Sequence, residues 1–232
     1  MANPDFHAAR ALTQFDHNSR ASHPRSLVGA ARRLHRAAAK RQGRQAIVAI
    51  IVTTQLGTAW SAQITYKIDP EHTFPSFEAT HQGLSIWRGR FDRTRGTIKL
   101  DQTAAAGTVD VTVDTRSVDF GLDTMNEVAK SGDWLDVGRY PEAFYRGQLA
   151  TFVNGAPTEV TGNFTLRGVT KPLNLKINSF KCLIDDQLKR KICGADASGQ
   201  ISRVDFGVNP DKRADSDMNV TLRIQIEAIE AD

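Results

Sequence analysis

From residue 63 onward, apolar and polar side chains alternate along the chain with a period of two. Segment 109–113 reads VDVTV, and the same alternation recurs in 173–177 and 220–226. Strands with one apolar and one polar face are typical of antiparallel sheets that are dry on one side and solvated on the other. The pattern therefore predicts an all-β body of antiparallel strands and disfavours a parallel α/β fold.

Ten strand-like runs with short joints follow one another in this region. They lie near residues 64–69, 73–81, 85–92, 96–101, 107–118, 141–153, 158–166, 172–182, 194–208 and 218–229. Gly, Pro, Asn or Asp occupies the joints, as turns require. About eight to ten strands so connected indicate a barrel that closes on itself and leaves no free edge.

One segment departs from the strand pattern. Thr124 and Glu127 have the spacing of a capping box, and Gly132 is suited to end a helix after about two turns. We therefore expect one short helix at 124–131, where it can cap an end of the barrel.

The amino-terminal region has a different composition. Segment 46–60 is free of charge, and six Lys or Arg residues precede it within 32–44. This order is typical of an export signal, and the apolar part is shorter than the roughly 20 residues that span a bilayer. We expect a basic n-region and cleaved signal peptide at 1–61 and a barrel domain at 62–232. A retained anchor or a buried helix at 46–60, and a start codon assigned too far upstream, stay open as alternatives.

The charge balance excludes one class of partner. The formal net charge is +4, but residues 1–62 hold nine Lys or Arg and only two Asp or Glu, a net +7, which leaves −3 for the rest of the chain. A nucleic-acid surface would require basic residues interleaved with aromatic ones, and the barrel domain lacks such a cluster. We expect no nucleic-acid partner.

The residues that usually carry chemistry are sparse after the leader. His72 and His81 have an odd spacing, which would place them on opposite faces of one strand and leave them a poor metal site. Nucleophile elbows, phosphate-binding loops and dinucleotide fingerprints are absent from the sequence. We expect no catalytic residue, no metal site and no enzymatic activity.

The two cysteines flank a polar loop between two predicted strands. Antiparallel pairing of those strands would bring Cys182 and Cys193 face to face, which favours a disulfide in an exported protein. A redox-active pair would be expected to have a CxxC spacing or a basic, exposed thiol. A structural disulfide is the favoured interpretation, with redox chemistry as the alternative.

Five motifs follow one another along the predicted barrel domain. They are YKIDPEHTFPSFEATHQG at 66–83, RGRFD at 88–92, SGDWLDVGRYPEAFY at 131–145, LRGVTKP at 166–172 and SRVDFGV at 202–208. Their order resembles the YceI family of lipocalin-like, polyisoprenoid-binding proteins. The cysteine pair followed by GADA resembles a subgroup of that family. The resemblance implies an eight-stranded antiparallel barrel in the bacterial periplasm with a channel for a polyprenyl chain or a quinone tail. Pro75 departs from the usual β-branched residue, which predicts a bulge or a weakly paired position there.

Strand parity predicts the apolar side chains that line the interior, and two polar candidates for head-group contact complete the predicted ligand-binding set. The predicted binding residues are Phe77, His81, Trp87, Phe91, Val109, Val111, Val113, Tyr145, Phe164, Leu166, Leu175, Arg203, Phe206, Leu222 and Ile224. Simple core packing is the alternative for each. His81, Arg167 and Arg203 are candidates for contact with a polar head group, and surface or structural ion pairs are the alternative for the two arginines.

Three classes of function are compatible with the sequence. A lipid carrier, which we favour, needs an unfilled interior and no catalytic cofactor. A solid-cored structural or stress-related envelope protein would instead have Trp87, Phe91 and Phe164 meeting at the barrel centre. An enzyme would have a polar cluster inside. We expect an isoprenoid lipid partner, room for a transient membrane contact, and a monomer or homodimer.

Overall fold

The computed structural model describes residues 62–208 and 218–232, so the predicted leader lies outside the described residues. These residues form eleven strands and one α-helix, α1 (Asp123–Lys130). The strands are β1 (Ile64–Ile68), β2 (Pro75–His81), β3 (Ser85–Phe91), β4 (Thr94–Asp101), β5 (Ala106–Asp114), β6 (Val118–Asp119), β7 (Glu142–Val153), β8 (Ala156–Leu166), β9 (Val169–Ile184), β10 (Lys191–Ser202) and β11 (Asn219–Glu230).

The eleven strands make an eight-stranded closed barrel, because three of the barrel strands are each divided in two. β1 and β2 both pair with β11, β3 and β4 pair with successive parts of the β5–β6 strand, and every pairing is antiparallel. Neighbours in sequence are neighbours around the barrel, and the β1–β11 pairing closes it. The predicted eight-stranded antiparallel barrel with one helix is confirmed.

The break between β1 and β2 ends at a proline, which lacks a backbone donor. Pro75 is the first residue of β2, pairs with Ile224 and has no N–H for the ladder. Just before it, the buried Thr73 hydroxyl donates to the Glu227 carbonyl and accepts from the Glu227 N–H, both at 3.1 Å. The Thr73 side chain thus takes the place of the backbone hydrogen bonds that would otherwise join this segment to β11. The predicted strand start at residue 73 is therefore wrong.

The break between β5 and β6 is organised by one carboxylate. Asp114 accepts hydrogen bonds from the Arg116 backbone N–H and guanidinium and from the Arg93 guanidinium, at 2.8–3.0 Å. These bonds hold a 3₁₀ turn at Thr115–Ser117, so the predicted uninterrupted strand at 107–118 is wrong.

The same hydrogen bonds predict an acid-dependent loss of stability. Hydrogen bonding by Arg116, helped by Arg93, lowers the pKa of Asp114 from 3.8 to about 2. Because the pKa of Asp114 is lower in the folded state, the ionised carboxylate contributes its full stabilisation at pH values above the unfolded pKa of 3.8. This stabilisation is lost as the pH falls through about 2. We expect Asp114→Asn to lower the free energy of unfolding by about 2 kcal/mol at pH 7.

Urea unfolding at neutral and strongly acidic pH measures this contribution. The difference between wild type and Asp114→Asn should shrink as pH falls below about 4. Asp110→Asn is the control, because the Asp110–Arg146 pair is half exposed and contributes little. A difference that stays constant with pH would contradict the electrostatic explanation.

The short helix α1 has the predicted position but not the predicted cap. Leu122 is the N-cap residue and supplies no side-chain hydrogen bond, so the expected Thr124–Glu127 capping box is wrong. Instead, the Asn126 side chain accepts from the Phe120 N–H at 2.7 Å and donates to the Asp119 carboxylate at 3.0 Å. These bonds anchor the helix to β6.

The predicted disulfide is confirmed. Cys182 on β9 and Cys193 on β10 are directly opposite in register and are joined. Closing a loop of this size stabilises the fold by about 3 kcal/mol through restriction of the unfolded chain. Beyond this disulfide, the β9–β10 hairpin carries the exposed side chains of Leu183 and Leu188.

Candidate functional site

A cavity of about 650 Å³ runs along the barrel interior, a volume typical of sites for small molecules. The inward-facing side chains of the barrel strands form its wall, and most of them are aliphatic or aromatic. The contribution of β11 is representative and consists of Val220, Leu222, Ile224, Ile226 and Ala228. The arrangement is an elongated apolar container.

One end of the barrel is packed with side chains. Tyr66, Leu100, Cys193 and Ala228 form a buried cluster there, and Tyr66 is only 1% exposed. Burial raises the pKa of Tyr66, and the Glu230 carboxylate adds to that effect. The Tyr66 hydroxyl is enclosed and has no hydrogen-bond partner within residues 62–208 and 218–232. The phenol is therefore neutral at ordinary pH.

Tyr145 is the second phenol of the cavity wall, and its polar atom is satisfied by the barrel itself. Its hydroxyl donates to the Leu173 carbonyl at 2.9 Å and lies 3.3 Å from the Val160 carbonyl. Burial, and secondarily the Glu159 carboxylate, raises the pKa of this group. The hydroxyl is thus engaged with the wall rather than available for acid–base chemistry.

The other end of the cavity is bordered by α1 and the segment after it. Met125, Val128 and Ala129 of α1 line the cavity, followed by Trp134 and Leu135. We call this end the mouth. At the mouth, Gln82 lines the cavity and is exposed to solvent.

Aromatic rings form one continuous side of the wall from the mouth inward. His81 stacks on Trp87 with centroids 4.0 Å apart, and Trp87 meets Phe120 at 6.5 Å. Phe120 then packs edge-on against Phe77 at 5.4 Å, and Phe77 contacts Phe91 at 5.6 Å. Such a surface offers a large, weakly polar contact area to an apolar ligand.

Comparison with known proteins agrees with this barrel. A family model described as a YceI-like domain matches residues 66–228. The chain belongs to the YceI-like family. It is similar to a UPF0312 protein of Pseudomonas paraeruginosa, with 33% identity over 190 residues, or 80% of this chain and 98% of that protein. Protein YceI of Salmonella arizonae is 33% identical over 187 residues, covering 79% of this chain and 94% of the relative.

Solved structures share the fold of this YceI-like chain. A YceI protein of Campylobacter jejuni superposes with a TM-score of 0.57 at 22% identity, covering 66% of this chain and 90% of the other. The BcnA protein of Burkholderia cenocepacia has a TM-score of 0.54 at 20% identity, with coverages of 69% and 99%. At these identities the likeness establishes the fold.

The YceI-like barrel places fourteen of the fifteen predicted binding residues on the cavity wall. These are Phe77, His81, Trp87, Phe91, Val109, Val111, Val113, Tyr145, Phe164, Leu166, Leu175, Arg203, Leu222 and Ile224. Phe206 instead lies in a 3₁₀ turn and packs edge-on against Phe164. The predicted strand 194–208 ends at Ser202, so strand parity does not apply to Phe206. Ligand contact by these side chains stays a prediction.

The three head-group candidates have different surroundings. Arg167 is outside the cavity wall, because its guanidinium donates to the carbonyls of Gly132 and Trp134 and fixes the segment beside the mouth. Arg203 does line the cavity, with its guanidinium 5.2 Å from the Trp134 ring centroid. His81 lines it as well, stacked on Trp87.

His72 does not share a strand with His81, contrary to the sequence expectation. It lies in the segment before β2, where its Nδ1 is 2.7 Å from the Asp69 carboxylate. That hydrogen bond raises the pKa of His72. Across the described ranges, 62–208 and 218–232, no group of three or more His, Cys, Asp or Glu side chains is arranged to hold a metal ion.

Sequence reasoning missed the residues that border the mouth. Phe120, Met125, Val128, Ala129 and Trp134 all line the cavity, but they belong to α1 or to irregular segments. Met125, Val128 and Ala129 are spaced three and four residues apart, so they share one face of a helix. This spacing was the signal in the sequence that could have predicted their contact with the barrel interior. Among the described residues, no helix is long and apolar enough to span a membrane.

Proposed function

We propose that this YceI-like barrel binds and carries a long isoprenoid lipid, either a polyprenyl chain or a quinone with such a tail. The observation that carries the proposal is the apolar cavity that follows the barrel interior from the Tyr66 cluster to the mouth, where the exposed Gln82 lines it. An elongated molecule would enter tail-first and leave its more polar end at the mouth. The isoprenoid class itself comes from the family resemblance.

A shielded interior lowers the free-energy cost of moving a lipid through water. Each methylene group exposed to water costs roughly 0.8 kcal/mol, so a long hydrocarbon chain crosses an aqueous space very slowly without a container. The inward-facing side chains of the barrel supply such a container. A binding role requires no catalytic group or catalytic cofactor, and we assign none.

The positions of the bulky rings favour the carrier over a solid-cored envelope protein. Trp87 packs with His81 and Phe120, and Phe164 packs with Phe206 at 5.4 Å. Each ring therefore lies against its own part of the wall. A filled core would require these rings to meet along the barrel axis.

The proposed place of action is the periplasm. The Cys182–Cys193 disulfide favours an oxidising compartment over the cytosol, and the basic and apolar order of residues 1–61 is that of a leader. A lipid that fits in one barrel requires a single copy of the chain.

Native mass spectrometry tests the carrier proposal directly. We expect protein purified from its own cell envelope to carry a mass that organic extraction releases and that fragments as an isoprenoid. The purified protein should also take up an isoprenoid quinone delivered from cyclodextrin. Protein that is ligand-free and also fails to take up quinones or polyprenyl lipids would instead favour the structural role.

A further inference from the structure

Four large apolar side chains project into solvent around the mouth. Leu84 and Ile86 belong to the β2–β3 hairpin and are 82% and 46% exposed. Leu122 and Val128 belong to the start and the last turn of α1 and are 58% and 46% exposed. We call these four residues the apolar rim. Exposed large side chains grouped at one functional opening indicate a surface that is covered during function.

The apolar rim is continuous with the cavity. Val128 lines the cavity wall and is also part of the rim. Trp87 also lines the cavity, and its chain neighbour Ile86 points to the outer face of β3, where it is exposed. Val128 therefore offers an apolar molecule a contact both inside the cavity and at the outer surface.

The size of the apolar rim argues against a protein partner or a second copy as its cover. A stable protein interface uses about 20–30 residues on each side, and the rim has four. The hairpin tip at Gly83–Leu84 is exposed to solvent, so Leu84 can insert into a soft surface. Gly83 has a positive φ of 72°, which allows the tight turn that leaves Leu84 at the tip of the hairpin.

The charges beside the rim indicate how a lipid surface would be bound. Helix α1 carries Asp123, Glu127 and Lys130, and Lys130 is paired with Glu127 at 3.0 Å. Arg88, on β3, is paired with Glu78 at 3.0 Å. Attraction to anionic lipid requires a cluster of basic side chains, which α1 and the β2–β3 hairpin do not have. Arg167 and Arg203, also at the mouth, are held against the carbonyl and the ring of Trp134. Apolar insertion is therefore the dominant attraction.

We propose that the apolar rim inserts into the surface of a lipid bilayer and that cargo passes through the mouth between bilayer and cavity. This inference rests on the proposed carrier function and adds the place where cargo is exchanged. Docking of this kind is weak and reversible, because only a few side chains enter the lipid.

Vesicle sedimentation with matched variants tests the docking. We expect the purified protein to sediment with phosphatidylcholine vesicles and to stay bound in about 0.5 M NaCl, where charge attraction is screened. Leu84→Ser with Leu122→Ser should weaken the partition about tenfold or more, since each removes an inserted side chain. Leu183→Ser with Leu188→Ser is the control, because both are about half exposed at the opposite end of the barrel.

Three results would overturn the docking proposal. They are no sedimentation of wild type, release by salt, and equal losses in the two double variants. Quinone uptake from cyclodextrin keeps this test separate from the carrier function, because Leu84 and Leu122 lie outside the cavity wall. We expect the rim variant to take up quinone from cyclodextrin normally and from vesicles slowly. No uptake by wild type from cyclodextrin would overturn the carrier proposal, and sedimentation would still decide docking.

Discussion

Ala197→Trp is expected to reduce isoprenoid uptake by about tenfold or more while the barrel stays folded. Ala197 lies on β10, lines the cavity and pairs with Ile177 and Ile224, two further wall residues. An indole that replaces its methyl group would project into the space that the proposed lipid occupies. The loss should appear in quinone uptake from cyclodextrin, measured by fluorescence or native mass spectrometry.

The same strand offers a matched control for this substitution. Gln200 is exposed and lies on the outward face of β10, where an added ring meets solvent. Gln200→Trp should leave uptake within about twofold of wild type. Leu222→Trp is a second inward variant, useful if Ala197→Trp lowers the melting temperature too far. Unchanged uptake in both folded inward variants would mean that the lipid binds outside the barrel.

The success of strand parity has a simple physical origin. In a closed barrel every strand alternates between interior and solvent, so the period of two in 109–113 fixes the face of each valine. The side chains of Val109, Val111 and Val113 all line the cavity, as predicted. Parity holds as long as the strand continues.

The errors arise where side chains, rather than the ladder, determine the backbone. Asp114 ends β5 by holding a 3₁₀ turn, and a second 3₁₀ turn removes Phe206 from the strand pattern. The N-terminus of α1 depends on Asn126 reaching back to Phe120 and Asp119. These hydrogen bonds join residues that become neighbours only when the chain folds, so the periodicity of the sequence does not predict them.

Gly162→Ala is expected to lower the free energy of unfolding by about 3 kcal/mol, a large effect for one added methyl group. Gly162 on β8 is paired directly with Gly147 on β7. A Cβ at Gly162 would lie 2.6 Å from the Arg146 carbonyl oxygen, 2.9 Å from the Gly147 Cα and 2.9 Å from the Tyr145 ring. Two of these atoms are backbone and cannot move without disturbing the ladder.

The position of Tyr145 makes this clash consequential for the cavity as well as for stability. Its hydroxyl bond to Leu173 crosses β8, so the ring must lie close over Gly162. Gly194→Ala is the control, because its Cβ would meet Glu227 at an ordinary 3.6 Å. The control should change the free energy of urea unfolding by less than about 1 kcal/mol. Equal effects of the two substitutions would show that backbone entropy, and not the close passage of Tyr145, requires glycine at residue 162.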